Sequence, residues 1–383
     1  MIKKVFCILF SLNVIGVFCV KSQVNVSFQF DQIPQTHKGE KVFIAGSFNG
    51  WSPNNEIQSF AVDANHNNFT LVLPKGITEY KFTRGGWDKA EASTTGGDVS
   101  NRFLKIEKDT IIHVLIGGWK DDFASSKITK NHTASKQVST LDTAFVIPQL
   151  GRKRTIRIYL PKDYASSKHR YPVIYMHDGQ NLFDEFDAGF GEWGVDEFLD
   201  SLPKRRQHCI VVGIDNGQMK RMSEYNPYSF RNFGKGEGDE YVTFLTKTLK
   251  PYIDKKFRTL SDKKNTVIAG SSMGGLISLY AVLKYPEVYG GAGIFSPAFW
   301  TASGIDNDVK KYASKINSRL FFYAGEKESD EMIPDMKRIE KIIICTSTHT
   351  AIKEVTDADA KHNEAAWRHY FPQFYEFMFP GKL

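Results

Sequence analysis

Hydrophobic and polar residues follow two different periods on either side of about residue 140. From residue 24 to 120, short runs alternate apolar with polar positions, and turn-forming segments rich in Gly, Asn and Ser separate them. The clearest of these predicted strands are 25–30, 41–45, 68–73, 80–83 and 110–116. Strands of this length and spacing, without a helical period, predict a small β-sandwich over residues 23–120.

Beyond residue 140, apolar strands alternate with helical stretches. The predicted strands are 154–160, 173–176, 209–214, 266–269, 291–295 and 320–324, and the predicted helices are 193–202, 239–252, 275–285 and 365–378. This alternation indicates βαβ units and an α/β domain with a mostly parallel central sheet over residues 141–383. Residues 121–140 are polar and rich in Ser, Thr and Lys, which is typical of a linker.

The first 22 residues resemble an export signal. Two lysines precede an apolar run from Val5 to Val20, which Ser11, Asn13 and Gly16 interrupt. A run of this length is short for a membrane span and typical of a signal peptide, although an uncleaved anchor helix is the alternative. We therefore predict a signal peptide over 1–22 and a mature protein that is secreted or periplasmic and free of the membrane.

Composition narrows the classes of partner. The chain has 50 Lys+Arg and 43 Asp+Glu, and loss of the three lysines in the predicted signal would lower its net charge from +7 to +4. This excess is too small and too dispersed to indicate nucleic-acid binding. Only Cys209 and Cys345 would remain, and Cys209 lies in an apolar run that predicts a buried core thiol. The sequence therefore implies neither a disulfide scaffold nor a metal or cofactor site.

One short motif suggests nucleophilic chemistry. Gly270-Ser-Ser-Met-Gly274 lies between the predicted strand 266–269 and a predicted helix. A serine at such a sharp strand-to-helix turn projects its hydroxyl above the carboxyl edge of the sheet, and the amides at the start of the helix face the developing negative charge. Ser272 is thus the candidate nucleophile. The alternative is a glycine-rich turn with a capping serine.

A serine nucleophile needs a base, which in this fold follows it in the chain. Among His349, His362 and His369, we favour His362, because it lies in a polar loop just before the last predicted helix. His369 falls within that helix, and His349 lies near the start of a strand-like run. Both are more simply explained by packing or surface exposure.

The acid and the oxyanion donors should follow other strands of the sheet. Three carboxylates follow the strand 320–324, of which Glu328 is the first candidate and Asp330 the second. The strand 173–176 is followed by His177-Asp-Gly-Gln180, in which the backbone amide of Gln180 could face the serine. We expect His177 and Asp178 to brace this loop.

Five motifs in the second half, in the same order, resemble the esterase D-like branch of the α/β-hydrolases, which includes carbohydrate esterase family one and siderophore-ester hydrolases. They are Tyr175-Met-His-Asp-Gly-Gln-Asn-Leu-Phe183, Arg221-Met-Ser-Glu-Tyr-Asn-Pro227, Gly270-Ser-Ser-Met-Gly-Gly275, Phe295-Ser-Pro297 with Trp300, and Lys361-His-Asn-Glu-Ala-Ala-Trp-Arg368. The resemblance implies Ser272 as nucleophile, His362 as base, and the amides of Gln180 and Met273 as the oxyanion hole. It places the acid at Glu328, where many relatives have Asp, and some siderophore esterases use a Ser–His pair.

The first half resembles an early-set, immunoglobulin-like β-sandwich of the family-48 carbohydrate-binding type. The resemblance rests on Val42-Phe-Ile-Ala-Gly-Ser-Phe-Asn-Gly-Trp-Ser52, Glu79-Tyr-Lys-Phe-Thr-Arg-Gly-Gly-Trp87 and Asn101-Arg102. It implies that sugar is held by Trp51, Lys81, Trp87 and Asn101. The alternative is that Trp51 and Trp87 close the sandwich and shape its contact with the second domain.

Together these features predict a secreted serine esterase that hydrolyses carboxylic esters through a Ser-His-Glu triad. The expected substrate is a carbohydrate-linked ester, feruloyl or acetyl, on plant polysaccharide. Two alternatives remain: a siderophore-ester hydrolase, and a glycan-binding protein without catalytic activity.

Overall fold

The computed structural model describes residues 23–46, 48–49, 51–61, 67–97, 99, 101–123, 131–204, 206, 208–230 and 234–380. The predicted signal peptide, 1–22, lies outside the described residues. Among these residues, no helix is both long and apolar enough to cross a membrane.

In the first half, the described residues form nine strands. They are β1 (Gln23–Gln32), β2 (Lys41–Gly46), β3 (Ser59–Ala61), β4 (Asn68–Pro74), β5 (Gly76–Thr83), β6 (Glu91–Ala92), β7 (Arg102–Ile106), β8 (Thr110–Leu115) and β9 (Gly118–Trp119). One sheet has the order β4-β1-β8 and a second has the order β3-β2-β5-β7, while β6 pairs with β9. Alternate side chains of β1 point inward, and Phe28 packs edge-on against Tyr80 and Phe82 of β5. This aromatic layer between two sheets confirms the predicted β-sandwich.

The part of the second half that the structure describes contains eight strands and eight α-helices. The strands are β10 (Val138–Ile147), β11 (Arg152–Tyr159), β12 (Val173–His177), β13 (Ile210–Ile214), β14 (Thr266–Ser271), β15 (Gly291–Phe295), β16 (Arg319–Gly325) and β17 (Ala351–Asp357). The helices are α1 (Val195–Ser201), α2 (Arg221–Glu224), α3 (Gly238–Phe244), α4 (Lys250–Lys256), α5 (Met273–Lys284), α6 (Ile305–Tyr312), α7 (Met332–Thr346) and α8 (Glu364–Met378). A π-helical turn, Leu245–Leu249, joins α3 to α4.

These strands form one sheet in the order β10-β11-β13-β12-β14-β15-β16-β17. Six strands, β12 to β17, are mutually parallel. Strands β10 and β11 add an antiparallel edge beside β13. Helices α5 and α7 pack on one face of the sheet, and α1 and α8 pack on the other. The predicted α/β domain with a mostly parallel sheet is therefore confirmed. The inner parallel strands β12, β13, β14 and β15 are predominantly apolar because both of their faces are buried, whereas the parallel edge strand β17 is polar and only partly buried.

Residues 131–140 of the segment predicted as a linker belong to the second domain or contact it. The backbone amide of Thr133 donates to Asp184, and that of Ser135 donates to Asp196 at the start of α1. Strand β10 begins at Val138, inside the predicted linker, and forms the edge of the sheet. Residues 131–137 thus pack on the α/β domain in spite of their polar composition, since their donors meet buried carboxylates.

Candidate active site

Ser272 occupies the tight turn between β14 and α5. Its backbone is at φ 59°, ψ −120°, a conformation that residues other than glycine rarely adopt. Its amide donates to the carbonyl of Phe295 at 2.9 Å, and its carbonyl accepts from the amide of Ala298 at 3.1 Å. The side chain is half-buried although both neighbours are buried. These contacts to the end of β15 hold the strained turn and leave the hydroxyl accessible.

Glycines on both sides of Ser272 permit this turn. A Cβ at Gly270 would lie 2.9 Å from the Cδ2 atom of His177, and a Cβ at Gly275 would lie 2.8 Å from the carbonyl oxygen of Phe295. Neither neighbour can move easily, because the His177 ring packs against two buried tyrosines, Tyr225 and Tyr241, and the other contact is a backbone carbonyl. Packing therefore requires glycine at these two positions of the motif.

We expect Gly270→Ala to lower the free energy of unfolding by about 1–3 kcal/mol through overpacking against His177. The matched control is Gly189→Ala, because a Cβ at Gly189 would meet no atom within 4 Å. That variant should stay within about 0.5 kcal/mol of the unmodified protein. Urea unfolding of both variants provides the measurement, and equal effects would contradict the packing argument.

His362 and Glu328 form a buried acid–base pair. The Nδ1 atom of His362 lies 2.7 Å from Oε2 of Glu328, whose side chain is fully buried. The other carboxylate oxygen accepts from the Ser296 hydroxyl at 2.7 Å and from the Gly325 amide at 2.6 Å. Asp330, the second candidate for the acid, is exposed. The geometry thus brings Glu328, and not Asp330, to the imidazole.

Ser296 is a site residue that was not predicted from the sequence. Its hydroxyl also accepts from Nε1 of Trp367, which packs edge-on against His362. Ser296 thereby orients the carboxylate, and Trp367 orients both the serine and the imidazole ring. The signal was present in the motif Phe295-Ser-Pro297, but periodicity alone does not reveal that this serine has positive φ, 44°.

Charge favours the protonated form of His362. Its burial opposes protonation, but the adjacent carboxylate of Glu328 outweighs this, with smaller contributions from Glu79 and Glu364, and the pKa of His362 is raised. An imidazole that gains a proton readily and has its Nδ1 fixed by a carboxylate can act as a general base through Nε2.

Sheet topology brings these groups to one edge. Ser272, Glu328 and His362 follow β14, β16 and β17, and these parallel strands occupy the same side of the sheet with only β15 between β14 and β16. The carboxyl ends of parallel strands form the crevice in which open α/β sheets bind ligands. The structure therefore brings the three sequence-predicted groups to a common edge.

The loop after β12 is held by an ion pair. Arg221 donates from Nε to Oδ1 of Asp178 at 2.7 Å and from Nη2 to Oδ2 at 2.9 Å, and Asn216 donates to the same carboxylate at 2.7 Å. Burial disfavours the charged carboxylate, but the opposing charge of Arg221 leaves the pKa of Asp178 below its usual value. Arg221, to which the sequence analysis gave no role, thus braces the loop that carries Gln180.

His177, the last residue of β12, lies at the start of the same loop and is held by a buried tyrosine. Its Nδ1 atom lies 3.1 Å from the hydroxyl of Tyr241, and burial lowers its pKa to about 3, so the ring is neutral. Gln180 is fixed by its own side chain, whose Oε1 accepts from the amide of Asn216 at 3.1 Å. Met273 begins α5, and the first amides of a helix have no partner within it. The backbone amides of Gln180 and Met273 thus belong to the elements that flank Ser272.

A further carboxylate lies beside this loop. Glu364, the first residue of α8, is buried and accepts from Nδ2 of Asn181 at 3.2 Å. Burial and the charge of Asp178 raise its pKa to about 7, against the opposing charges of His362 and Arg221. Glu364 is therefore partly protonated near neutral pH.

The candidate sugar-binding residues of the sandwich are in two different situations. The rings of Trp51 and Trp87 lie together, with centroids 6.3 Å apart, and Trp87 is 38% exposed. Lys81 is buried, and its Nζ donates to the carbonyl of Val99 at 2.5 Å. Asn101 donates from Nδ2 to Oε2 of Glu79 at 3.3 Å. The two tryptophan rings therefore lie together, whereas the ammonium group of Lys81 is hydrogen-bonded to a backbone carbonyl.

Comparison with known families agrees with this division. Residues 147–378 match the model of the family described as "Putative esterase", and residues 31–106 match the family described as the glycogen recognition site of AMP-activated protein kinase. The first match lies in the α/β domain and the second in the β-sandwich.

Individual relatives match parts of the chain. The endo-1,4-beta-xylanase/feruloyl esterase of Xylanibacter ruminicola is 29% identical over 225 residues, which are 55% of this chain and 27% of that protein. The iron(III) salmochelin esterase of Escherichia coli is 26% identical over 154 residues, 39% of this chain and 33% of that protein. The chain thus spans about a third or less of each.

Among solved structures, the enterobactin esterase of Shigella flexneri is similar over both halves. The match covers 93% of this chain and 92% of that one, with a TM-score of 0.52 and 18% identity. At this identity, the likeness shows the fold, an α/β-hydrolase domain that follows a β-rich domain.

Proposed function

Because the chain belongs to the esterase family that its residues 147–378 match, it is a carboxylic ester hydrolase, and we propose that Ser272, His362 and Glu328 carry out the reaction. The observation that supports this assignment most directly is the 2.7 Å contact between His362 and Glu328, at the sheet edge where Ser272 sits on its strained turn. A hydroxyl, an imidazole and a buried carboxylate in this order form the unit that activates serine for acyl transfer.

The proposed reaction has two steps. Nε2 of His362 takes the Ser272 proton as the oxygen attacks the ester carbonyl, and the imidazolium then protonates the leaving alcohol. The amides of Gln180 and Met273 hold the oxyanion, a contribution of about 3–4 kcal/mol per donor in comparable sites. Water, deprotonated by His362, attacks the acyl-enzyme and releases the acid. Glu328 keeps the proton on Nδ1 and stabilises the imidazolium.

For the substrate, we propose feruloyl or acetyl esters of plant polysaccharide, hydrolysed outside the cytoplasm. The name of the Xylanibacter relative supports an acyl group on xylan, and the match of residues 31–106 to a glycogen recognition family supports a carbohydrate-linked alcohol. The paired rings of Trp51 and Trp87 offer a surface on which a sugar can stack. The basic-then-apolar pattern of residues 1–22 supports export.

A hydrolysis profile tests this substrate. The purified protein is given arabinoxylan, acetylated xylan and a cyclic catecholate triester, and ferulate, acetate and catecholate products are measured. Release of ferulate or acetate with an inert triester supports the proposal. Preferential cleavage of the triester would instead favour a siderophore esterase, as the name of the Escherichia relative suggests. Binding to xylan with no hydrolysis of any ester would refute the catalytic assignment.

The pH dependence of kcat/KM should follow His362. Only the neutral imidazole can accept the serine proton, so activity is lost as pH falls through its pKa. Because Glu328 raises that pKa, the midpoint of the acid limb should lie above 6.5, the ordinary value. Removing a smaller contributor, by Glu364→Gln, should move the midpoint to lower pH. An unchanged midpoint in this variant would contradict the electrostatic argument.

A further inference from the structure

A cavity of about 410 Å³ lies in the β-sandwich, where β1 ends. The apolar part of its lining includes the buried residues Phe30, Val42 and Trp119, which belong to β1, β2 and β9. Small-molecule sites in proteins have volumes of roughly 300–1,000 Å³ and mostly apolar walls with a few placed polar groups. Among the described residues that line the cavity are none of the four candidate sugar-binding residues considered above. The cavity is therefore a separate candidate site on this domain.

Arg84, which follows β5, is the most deeply buried polar residue of this lining. Its side chain is 2% exposed, its Nη1 atom donates to Oε2 of Glu40 at 2.5 Å, and its Nη2 atom donates to Asp121. The Nε atom is also buried, but it has no hydrogen-bond partner among the described residues. Because buried donors are normally satisfied, this nitrogen indicates an acceptor that a ligand in the cavity would supply.

His37 fixes the acidic groups around Arg84. Its Nδ1 atom lies 3.0 Å from Oε1 of Glu40, and its Nε2 atom lies 2.9 Å from Oδ1 of Asp122. One oxygen of Glu40 is thus held by the imidazole and the other by the guanidinium. A site whose polar groups are already held in place loses less conformational freedom when a ligand binds.

The charges of the lining are balanced. Two carboxylates and two fixed cations contribute to it, namely Asp31, Glu40, Lys38 and Arg84. An anion would gain no net attraction there and would lose its hydration. A cation could not satisfy Nε, which is a donor. A hydroxyl group fits both requirements, because its oxygen accepts from the guanidinium and its proton can be donated to a carboxylate.

We propose that this cavity binds a short segment of a neutral sugar chain, with Nε of Arg84 donating to a sugar oxygen. The choice of a sugar among neutral hydroxyl compounds rests on the proposed function, in which the substrate is an ester of a polysaccharide. The sandwich then has a sugar site besides the rings of Trp51 and Trp87, and it can hold a polysaccharide at two places.

Isothermal titration calorimetry of the full protein with xylotetraose and with maltotetraose tests this site. The starting variant is Trp87→Ala, which disrupts the tryptophan pair and leaves the lining of the cavity intact. We expect one of the two oligosaccharides to bind this variant still. Adding Arg84→Lys should weaken that binding by about tenfold or more, since lysine keeps a charge beside Glu40 and Asp121 but has no Nε donor.

Lys38→Ala is the second variant, in case Arg84→Lys does not fold. Lys38 is an exposed residue of the lining, so its truncation should leave the unfolding curve unchanged and weaken binding by about threefold or more. Lys108→Ala is the matched control, because Lys108 is an exposed lysine of the same domain outside the lining. It should not change the affinity.

Four results would overturn the inference. They are no binding of either oligosaccharide to the unmodified protein, loss of all binding in Trp87→Ala, equal affinities in the Lys38→Ala and Lys108→Ala variants, and binding of citrate in place of both oligosaccharides. Hydrolysis of methyl ferulate or methyl acetate should be unchanged in every variant, so such a result leaves the esterase assignment intact. Cleavage of the catecholate triester alone would instead refute the proposed substrate, whatever the titrations show.

Discussion

Ser272→Ala is expected to lower kcat for an aryl ester by about 10⁴- to 10⁶-fold. The variant retains the oxyanion donors and the imidazole but has no oxygen to form the acyl-enzyme, so only the residual effect of binding and charge stabilisation remains. The free energy of unfolding should change by less than about 1 kcal/mol, because alanine experiences the same backbone strain at φ 59°. Initial rates and urea unfolding of the same preparation measure both quantities.

Ser272→Gly is the control for this variant. It also removes the oxygen, but glycine adopts positive φ without the penalty that a Cβ meets there, so the glycine variant should be at least as stable as the alanine variant. Two inactive variants that differ in stability in this direction would separate the chemistry of Ser272 from its conformation. Undiminished turnover in either of them would refute its role as nucleophile.

Glu328→Gln should have the second largest effect, a fall in kcat of about 10³- to 10⁴-fold. The carboxamide can present an N–H to Nδ1 of His362, which moves the ring proton to Nε2 and leaves no acceptor for the serine proton. Its oxygen can still accept from Ser296 and Gly325, so the fold should be preserved. The measurement is kcat together with the pH midpoint, which should fall because the charge that raises the pKa of His362 is gone.

Asp330→Asn provides the matched control for the acid. Asp330 is exposed and follows the same strand, so its neutralisation should change kcat by less than twofold. If Glu328→Gln retained more than a tenth of the activity, the site would function as a Ser–His pair. If Asp330→Asn were the more damaging of the two, the assignment of the acid would be wrong.

Much of the fold follows from periodicity, and the exceptions have physical causes. Strand β15 was predicted with its observed bounds, because a fully buried parallel strand is apolar throughout. Helix α6 was not predicted, because it buries only Ile305 and Val309 and is otherwise polar. Strand β10 was not predicted, because an edge strand alternates weakly and pairs on one side only. Helix α7 was not predicted either, although Met332, Met336, Ile339 and Ile343 have the spacing of one buried helical face.

The candidate site was accessible from sequence only as far as each residue acts near its own strand. Ser272, Glu328 and His362 could be proposed because each follows a recognisable strand or precedes a helix. Ser296 and Arg221 act across the fold, on carboxylates 32 and 43 residues away along the chain, and nothing in local composition indicates their partners.

The ordered stretch that precedes β10 has a consequence for how such proteins could exchange their N-terminal modules. His132, Thr133 and Ser135 supply hydrogen bonds to Asp184, Glu192 and Asp196, whose carboxylates are almost completely withdrawn from solvent. A recombination point downstream of these residues would replace the donors. Three buried carboxylates would then have lost these hydrogen bonds. When the N-terminal domain is exchanged, we therefore expect the junction to lie upstream of His132. The α/β domain would then include about ten residues whose composition is that of a linker.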